Sequence, residues 1–506
     1  MSKYVTTPET ISFSVLANKK HTLSPSVYKS LCINNSNVKP LRDFLSRSLR
    51  KKDFGQDVGS INYIQKSTHH FMRTKALQSY SFIPEFNSEA LVPIFPNAFI
   101  QINLRQGDII ISKDSNIGEI VILDEDYPNI CLSGALCRLP IDKYKYYVLA
   151  LVKHPIVREQ LDFMVPKGAT IRHAKTLFLD CLIPIPNCFK EQTIAYVEHL
   201  TRAIIAKEKA IKLKYNEIIN LFDGELFSNQ NSTEFTYSFP KYSELLSNSR
   251  LDAKIYSHSF RELDFRIRNY RYGTKSIFDL GFEMSRGQNL QVSNIGKSIY
   301  STEKYDNFYS LILPKFLSVY GIPNYIEYLG NPHKLKTLKK GDLIFGAEGF
   351  EKGRSIVIIE DMDNYITNIH GITITHASGV NINESIFLKC FLDFLRKNGM
   401  IESFAVGGNG GSFAQKYWDY LRVPNFPNQL KNKISKLYYS GIDLVTYSCD
   451  PNNPDSFIDL HNKLDSDSGI FELYKSKGIL QHTLNNVIQY IIEDKRVDIN
   501  YNIFSV

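Results

Sequence analysis

The sequence predicts an α+β protein in which two similar β-rich domains are separated by long helices that pack as an antiparallel coiled coil. Three observations carry this. A stretch of chain occurs twice: LRQGDIIISK at 104–113 is echoed by LKKGDLIFGAE at 338–348, and EIVILDED at 119–126 by SIVIIEDM at 355–362. The copies stay in step down to IPIPN at 183–187 and NFPN at 425–428, their offset drifting only from 234 to 241. A period above two hundred residues is too long for a solenoid, whose units run to roughly 20–50 residues, so each copy is a complete domain. Between the copies lies a long helical pattern with an apolar seam. The rest is short apolar runs bounded by Gly, Asn, Asp and Pro, the texture of strands and turns.

The predicted segments are a first domain at 1–190, a spacer helix at 191–223, a second domain at 224–428, and a shorter second spacer helix with a carboxy-terminal tail at 429–506. In the first domain the strand candidates are ALVPIF, DIIIS and EIVIL. One helical window at 145–163 interrupts them, with Pro155 expected to bend or divide it. The matching window of the second copy is 382–400, with Asn383 as N-cap and Gly399 as stop.

The spacer helix opens at Glu191-Gln192, just past Pro184 and Pro186, and is expected to end at Phe222, before Gly224. Positions 194, 197, 201, 204, 208, 211, 215, 218 and 222 alternate steps of three and four and hold Ile, Val, Thr, Ile, Glu, Ile, Tyr, Ile and Phe. That is a coiled-coil seam. Lys207, Lys209, Lys212 and Lys214 lie off it. At 1.5 Å per residue the helix spans roughly 48 Å, so its stripe needs a long cover. The natural candidate is an antiparallel helix at 429–442, with Leu430, Ile434, Leu437 and Tyr438 on one face, although it is only about half as long.

Composition sets broader limits. With 506 residues and 43% hydrophobic content, two or three ordinary domains are expected. A net charge of +8 is a mild basic excess that favours a polyanionic partner. Seven cysteines, at 32, 131, 137, 181, 188, 390 and 449, include no C-x-x-C pair and indicate neither a disulfide framework nor a zinc knuckle. MSKYVTTPET lacks the apolar core of a secretory signal, and no stretch reaches the ~18 apolar residues of a membrane span, so a cytoplasmic protein is expected.

Catalytic patterns are weak. An adenine methyltransferase needs an Asn/Asp-Pro-Pro-aromatic loop and a glycine turn opening a helix after a strand; neither is present, and GGNGGS at 407–412 follows a helix. Asp455 with Glu493, Asp494 and Lys495 can be forced into a nuclease pattern, but acidic pairs ending a surface helix are commoner. His69-His70 would point to opposite faces of a strand, with no Cys or carboxylate at ligand spacing. No catalytic residue, metal site or bound cofactor is expected in this chain.

The order of domain, IPIPNCFKEQ, long helix, second domain and shorter helix resembles the specificity subunit of type I restriction–modification enzymes, or of a type I-like DNA methyltransferase. The pieces that match are the turns Gly107-Asp108 and Gly341-Asp342, the glycine-led loops KGATIRHAKTLFLDCLIPIP and GGSFAQKYWDYLRVPNFP, Glu191-Gln192, and RLDAKIY at 250–256. LSPSVY at 23–28 matches RLDAKIY only faintly, and the tail from about residue 446 has no recognised counterpart. The resemblance implies a non-catalytic DNA reader with two target recognition domains, each binding half of a split asymmetric site. It implies double-stranded DNA and two methyltransferase subunits as partners, with or without a motor-nuclease subunit, and S-adenosylmethionine bound by the methyltransferases. Docking would use the spacer helix, through Ile194, Val197, Ile204, Ile211, Tyr215 and Ile218. The alternatives are a self-contained DNA-modifying enzyme or nuclease, and a protein-binding scaffold.

Candidate DNA contacts combine basic, polar and aromatic residues, because arginine can fork onto guanine while lysine and hydroxyls settle on phosphates. In the first copy they are Lys66, His70, Arg73 and Lys75 of KSTHHFMRTK. In the second they are Arg261, Arg266, Arg268, Tyr270 and Arg271 of FRELDFRIRNYRYGTK, where a strand would put Arg266, Arg268, Tyr270 and Tyr272 on one face. An ordinary solvated strand face reads equally well from that pattern. Arg286 and Gln288 of SRGQN form another pair, since Gln can bridge adenine N6 and N7. The resemblance adds Lys167, Thr170, Arg172 and His173 in the first glycine-led loop and Ser412, Gln415 and Lys416 in the second. A tight turn feeding the last strand is the alternative for both loops.

Overall fold

A single helix, Lys190–Ser228, dominates the architecture of a computed structural model that describes residues 3–19, 21–165, 174–349, 352–360, 364–379, 381–407, 411–442 and 455–502. Its 39 residues span about 58 Å. The chain divides inside it, into a first unit of residues 1–210, 443–467 and 473–506 and a second of residues 211–442 and 468–472. The helix runs six residues past the expected end at Phe222. Gly224 costs it about 1 kcal/mol, but Leu226 beyond is fully buried and Gln230 hydrogen-bonds Leu226 O and Arg266 O, which outweighs that cost.

All nine seam residues are buried, Thr201 and Glu208 included. Lys207, expected off the seam, is buried too, paired with Asp465 at 2.6 Å. In the first unit the helix shares one core with the tail helix Ile470–Ile492, through Ile194, Val197, Leu200 and Ile204 against Leu480, Leu484, Ile488 and Ile491. Contacts descend one chain as they ascend the other: Glu208 meets Lys477 at 2.6 Å, while Tyr196 donates to Asn500 O. The pairing is therefore antiparallel, and the unassigned tail supplies the cover. In the second unit Phe222 packs against Phe387, Phe391 and Phe394 of the helix Ile382–Lys397, with ring centroids 5.5–5.7 Å apart. The short helix Asn428–Tyr438 is antiparallel as expected: Phe426 precedes it beside Phe222, and Lys433 pairs with Glu217 at 3.2 Å.

The two copies share a three-stranded core of one sheet, to which the second copy adds a fourth strand, Phe282–Arg286. In the first unit Ile109–Ser112 lies between Ile120–Ile122 and Leu136–Leu139, antiparallel to both; in the second Leu343–Gly346 lies between Ser355–Val357 and Gly371–His376. Register is kept, Ile109 facing Ile122 and Leu139 as Leu343 faces Val357 and Ile374. A second sheet in each unit contains a parallel pair, His70–Met72 with Ile130–Leu132 and Tyr309–Leu311 with Tyr365–Ile366. Even the faint match LSPSVY to RLDAKIY is structural: each forms a 3-10 turn whose tyrosine, Tyr28 or Tyr256, donates to the carbonyl six residues back, of Thr22 or Arg250.

Pro155 does divide its helix, into Lys145–Lys153 and Pro155–Met164. The cap of Ile382–Lys397 is Asn381, which accepts from Glu384 N, and not Asn383. Gly399, at φ +76°, does end that helix. Residues 258–268 are a helix, not the expected strand: Ser257 caps it, and Phe260, Leu263 and Ile267 bury one face at helical spacing.

Candidate nucleic-acid interface

Helix formation at 258–268 dissolves the one-faced strand expected for Arg266, Arg268, Tyr270 and Tyr272. Arg261 is half-buried between the rings of Tyr237 and Tyr256, Arg266 reaches Asp223, and Arg268 is held by Asp264 and Tyr420 O. Tyr270 is fully buried and donates to Glu225 at 2.7 Å, which removes it from any outside surface. Arg271 and Tyr272 remain exposed in the turn that follows. The expected docking side chains are closed off as well. Ile194, Val197 and Ile204 belong to the first unit's core, and Ile211, Tyr215 and Ile218 are buried in the second. Their seam faces the chain's own helices.

The second-copy residues that do come together are Arg286, Gln288 and Ser412, on a rim at the edge of the four-stranded sheet. Arg286 ends the strand Phe282–Arg286, which pairs with Gly371–His376. Its Nη1 donates to Glu348 Oε1 at 3.2 Å and to Ile369 O at 3.1 Å. Glu348 Oε2 lies 2.6 Å from His370 Nδ1, and the Glu348 backbone bridges to Ser412. Ser412 in turn exchanges backbone hydrogen bonds with Val406. Gln288 donates its N–H to Thr367 O, and Lys336 Nζ reaches Ser285 Oγ at 3.3 Å. Both signs of charge meet at this exposed edge.

The first unit repeats the rim's backbone. Gly55 N donates to Leu136 O and Gln56 N to Leu132 O, as Gly287 N donates to Gly371 O and Gln288 N to Thr367 O. Both glycines are pressed against a carbonyl: a Cβ on Gly55 would sit 2.0 Å from Ser133 O, and one on Gly287 2.2 Å from Asn368 O. Ser133 N bonds Met72 O, which brings exposed Arg73 close to the Gly55-Gln56 turn. Lys66 is exposed on a nearby loop, Lys75 pairs with Glu89 at 3.6 Å, and half-buried His70 has its pKa lowered by that burial. His69 lies just before the strand His70–Met72 and packs edge-on against Phe99. Lys167, Thr170, Arg172 and His173, and the side chains of Gln415 and Lys416, lie outside the described residues.

Gln56, Glu348, His370 and Lys336 were not anticipated. Gln56 was legible: FGQ and RGQ extend the duplication upstream at an offset of 232. The other three gather only through tertiary contact.

Among the described residues no group of three or more His, Cys, Asp or Glu could hold a metal ion, and the six described cysteines are free. Glu493 pairs with Lys495 at 2.7 Å and Asp494 accepts from Asn187. No helix among the described residues is long and apolar enough to cross a membrane.

No family model matches the chain, and no curated protein matches it. Among solved structures it is similar to the S subunit of a type I restriction–modification system from M. genitalium, at 13% identity and TM-score 0.36 over 91% of this chain and 96% of that one. It is also similar to a chain from a structure of type I R-M complex assembly and conformational transition, at 10% identity and TM-score 0.27 over 90% and 97%. A third is the HsdS subunit from Thermoanaerobacter tengcongensis, at 10% identity and TM-score 0.24 over 90% and 96%. Likenesses this loose carry no weight by themselves.

Proposed function

We propose that this chain is a DNA-reading specificity subunit of a type I or type I-like methyltransferase complex, in which each unit reads one half of a split asymmetric site. The observation that carries the reading is the duplicated rim: the same backbone turn and the same glutamine, Gln56 or Gln288, with Phe54 beside it in one unit and Arg286 in the other. Equal scaffolds with unequal side chains suit two unlike half-sites. In this reading the helix Lys190–Ser228, which contributes residues to both units, would be the link between the two readers.

Chemistry on the base would belong to recruited methyltransferase subunits, which flip adenine out of the stack and bind S-adenosylmethionine. Because the seam is occupied internally, docking would fall to outward positions of the same helix, where Leu213 and Phe227 are 66% and 78% exposed. The decisive measurement is methylation of DNA by the chain alone and with a co-purified methyltransferase. Activity is expected only with the partner, and activity in the chain alone defeats the adaptor model. Binding should weaken steeply with salt, because phosphate contacts release counterions.

A further inference from the structure

We infer that Arg286 reads a single base at the second unit's rim, and that Glu348, braced by His370, is the residue that positions it. The inference rests on the DNA-reading function proposed above and deepens it. Arg286, Glu348 and His370 come from three separate places in the chain, yet their side chains converge where they are 38%, 35% and 57% exposed. Exposed ion pairs return roughly 0–1 kcal/mol, too little to repay fixing three side chains, so stability does not explain the arrangement.

Orientation does. Among the described residues Arg286 uses only Nη1 within the chain, on Glu348 and on Ile369 O. Its Nε and Nη2 edge is left for a ligand, and that edge is the fork that matches guanine O6 and N7. A guanidinium held on one nitrogen by a carboxylate and a carbonyl has lost most of its swing before DNA arrives. His370 then fixes the carboxylate from its other oxygen, at 2.6 Å. A carboxylate beside DNA would otherwise repel phosphates, so a purely electrostatic grip would not place one here.

The first unit provides an internal control. By the shared register, Phe54 stands where Arg286 does, Asp114 where Glu348 does, and Ala135 where His370 does. Lys113 N bonds Ala135 O as Ala347 N bonds His370 O. The backbone is common to both units while the triad belongs to one. A preference for guanine at one position should therefore appear in one half-site only.

The test is selection from randomised duplexes by the full-length protein, purified with any subunits that accompany it, comparing wild type with Arg286→Ala, Glu348→Gln and Glu348→Asp. The wild type should select a two-part motif with a guanine at one position of one half. Arg286→Ala should abolish that preference, a loss of about ten-fold or more in discrimination. Glu348→Gln should weaken it several-fold at the same position, with the other half-site and the thermal unfolding of the protein unchanged. Glu348→Asp should keep part of it. If the wild type selects a motif and the variants change affinity equally for all sequences, or not at all, the triad's role is overturned and the DNA-reading function stands. If the wild type selects nothing, the DNA reading itself falls, and the inference with it.

Discussion

Lys153 and Lys389 occupy the same place in the two copies, yet their counter-charges come from different elements. Each ammonium is buried and donates to a loop carbonyl, Gln78 O for Lys153 and Tyr320 O for Lys389. Lys153 finds Glu119, the residue before the strand Ile120–Ile122, at 3.8 Å, a loose pairing that leaves burial in command and lowers its pKa to about 8. Lys389 finds Asp393 one turn along its own helix at 2.7 Å. The helix around Lys389 runs unbroken, whereas Pro155 breaks the other directly after Lys153. A buried charge constrains its partner to be near, but not which element supplies it. The copies have kept the lysine and exchanged the carboxylate.

The largest expected effect tests that exchange. Asp393→Ala strands a buried ammonium and should cost about 3–5 kcal/mol, read as loss of the second unit's denaturant transition through Trp418, the chain's single tryptophan, which is itself fully buried there. Glu119→Ala should cost clearly less, because Glu208 also acts on Lys153. Equal costs would mean that the pairings are equivalent after all. The double variant Lys389→Met with Asp393→Leu should recover most of the stability, because a well-packed apolar pair avoids desolvating either charge.

Acid should separate the units next. The break at Pro155 makes His154 an N-cap whose Nδ1 accepts from Ile156 N, and burial holds its pKa down to about 4; buried His461 is held down to about 2. The unfolded chain takes up protons near pH 6.5 while the folded rings stay neutral. Stability is therefore intact above about pH 6.5 and lost as pH falls toward 4, by about 3 kcal/mol for His154 alone. The second unit's described histidines, 258, 333, 370 and 376, are all at least partly exposed. Helical circular dichroism should fall before Trp418 fluorescence changes. The reverse order would contradict the assignment.

Two smaller substitutions ask how far the copies are equivalent. Gly55→Ala and Gly287→Ala each drive a methyl into a carbonyl and should cost about 1–3 kcal/mol apiece. Unequal values would show that one turn can relax. Tyr28→Phe and Tyr256→Phe remove matching hydrogen bonds and should cost about 1 kcal/mol each by thermal unfolding.

Much of this was legible beforehand, for local reasons. Spacing alone picks out nine seam positions and all nine are buried, because a helix that must bury a stripe writes it every three and four residues. In residues 260–275 charges at alternate positions imitate a strand, while Phe260, Leu263 and Ile267 carry the helical period that the fold obeys. The rim was half legible: Arg286, Gln288 and Ser412 were named, but Glu348 and His370 join them only through strand pairing across the sheet.

The sequence by itself determined the duplication, the strand alternation within each copy and the stripe along the central helix, since these are written in neighbouring residues. Only the tertiary structure decided that the helix Ile470–Ile492 covers the stripe in the first unit, and that its seam is thereby closed to a docking partner. An apolar stripe requires a cover but does not specify one. Many segments could bury the same area, and which one does is decided by competition among contacts far apart in the chain.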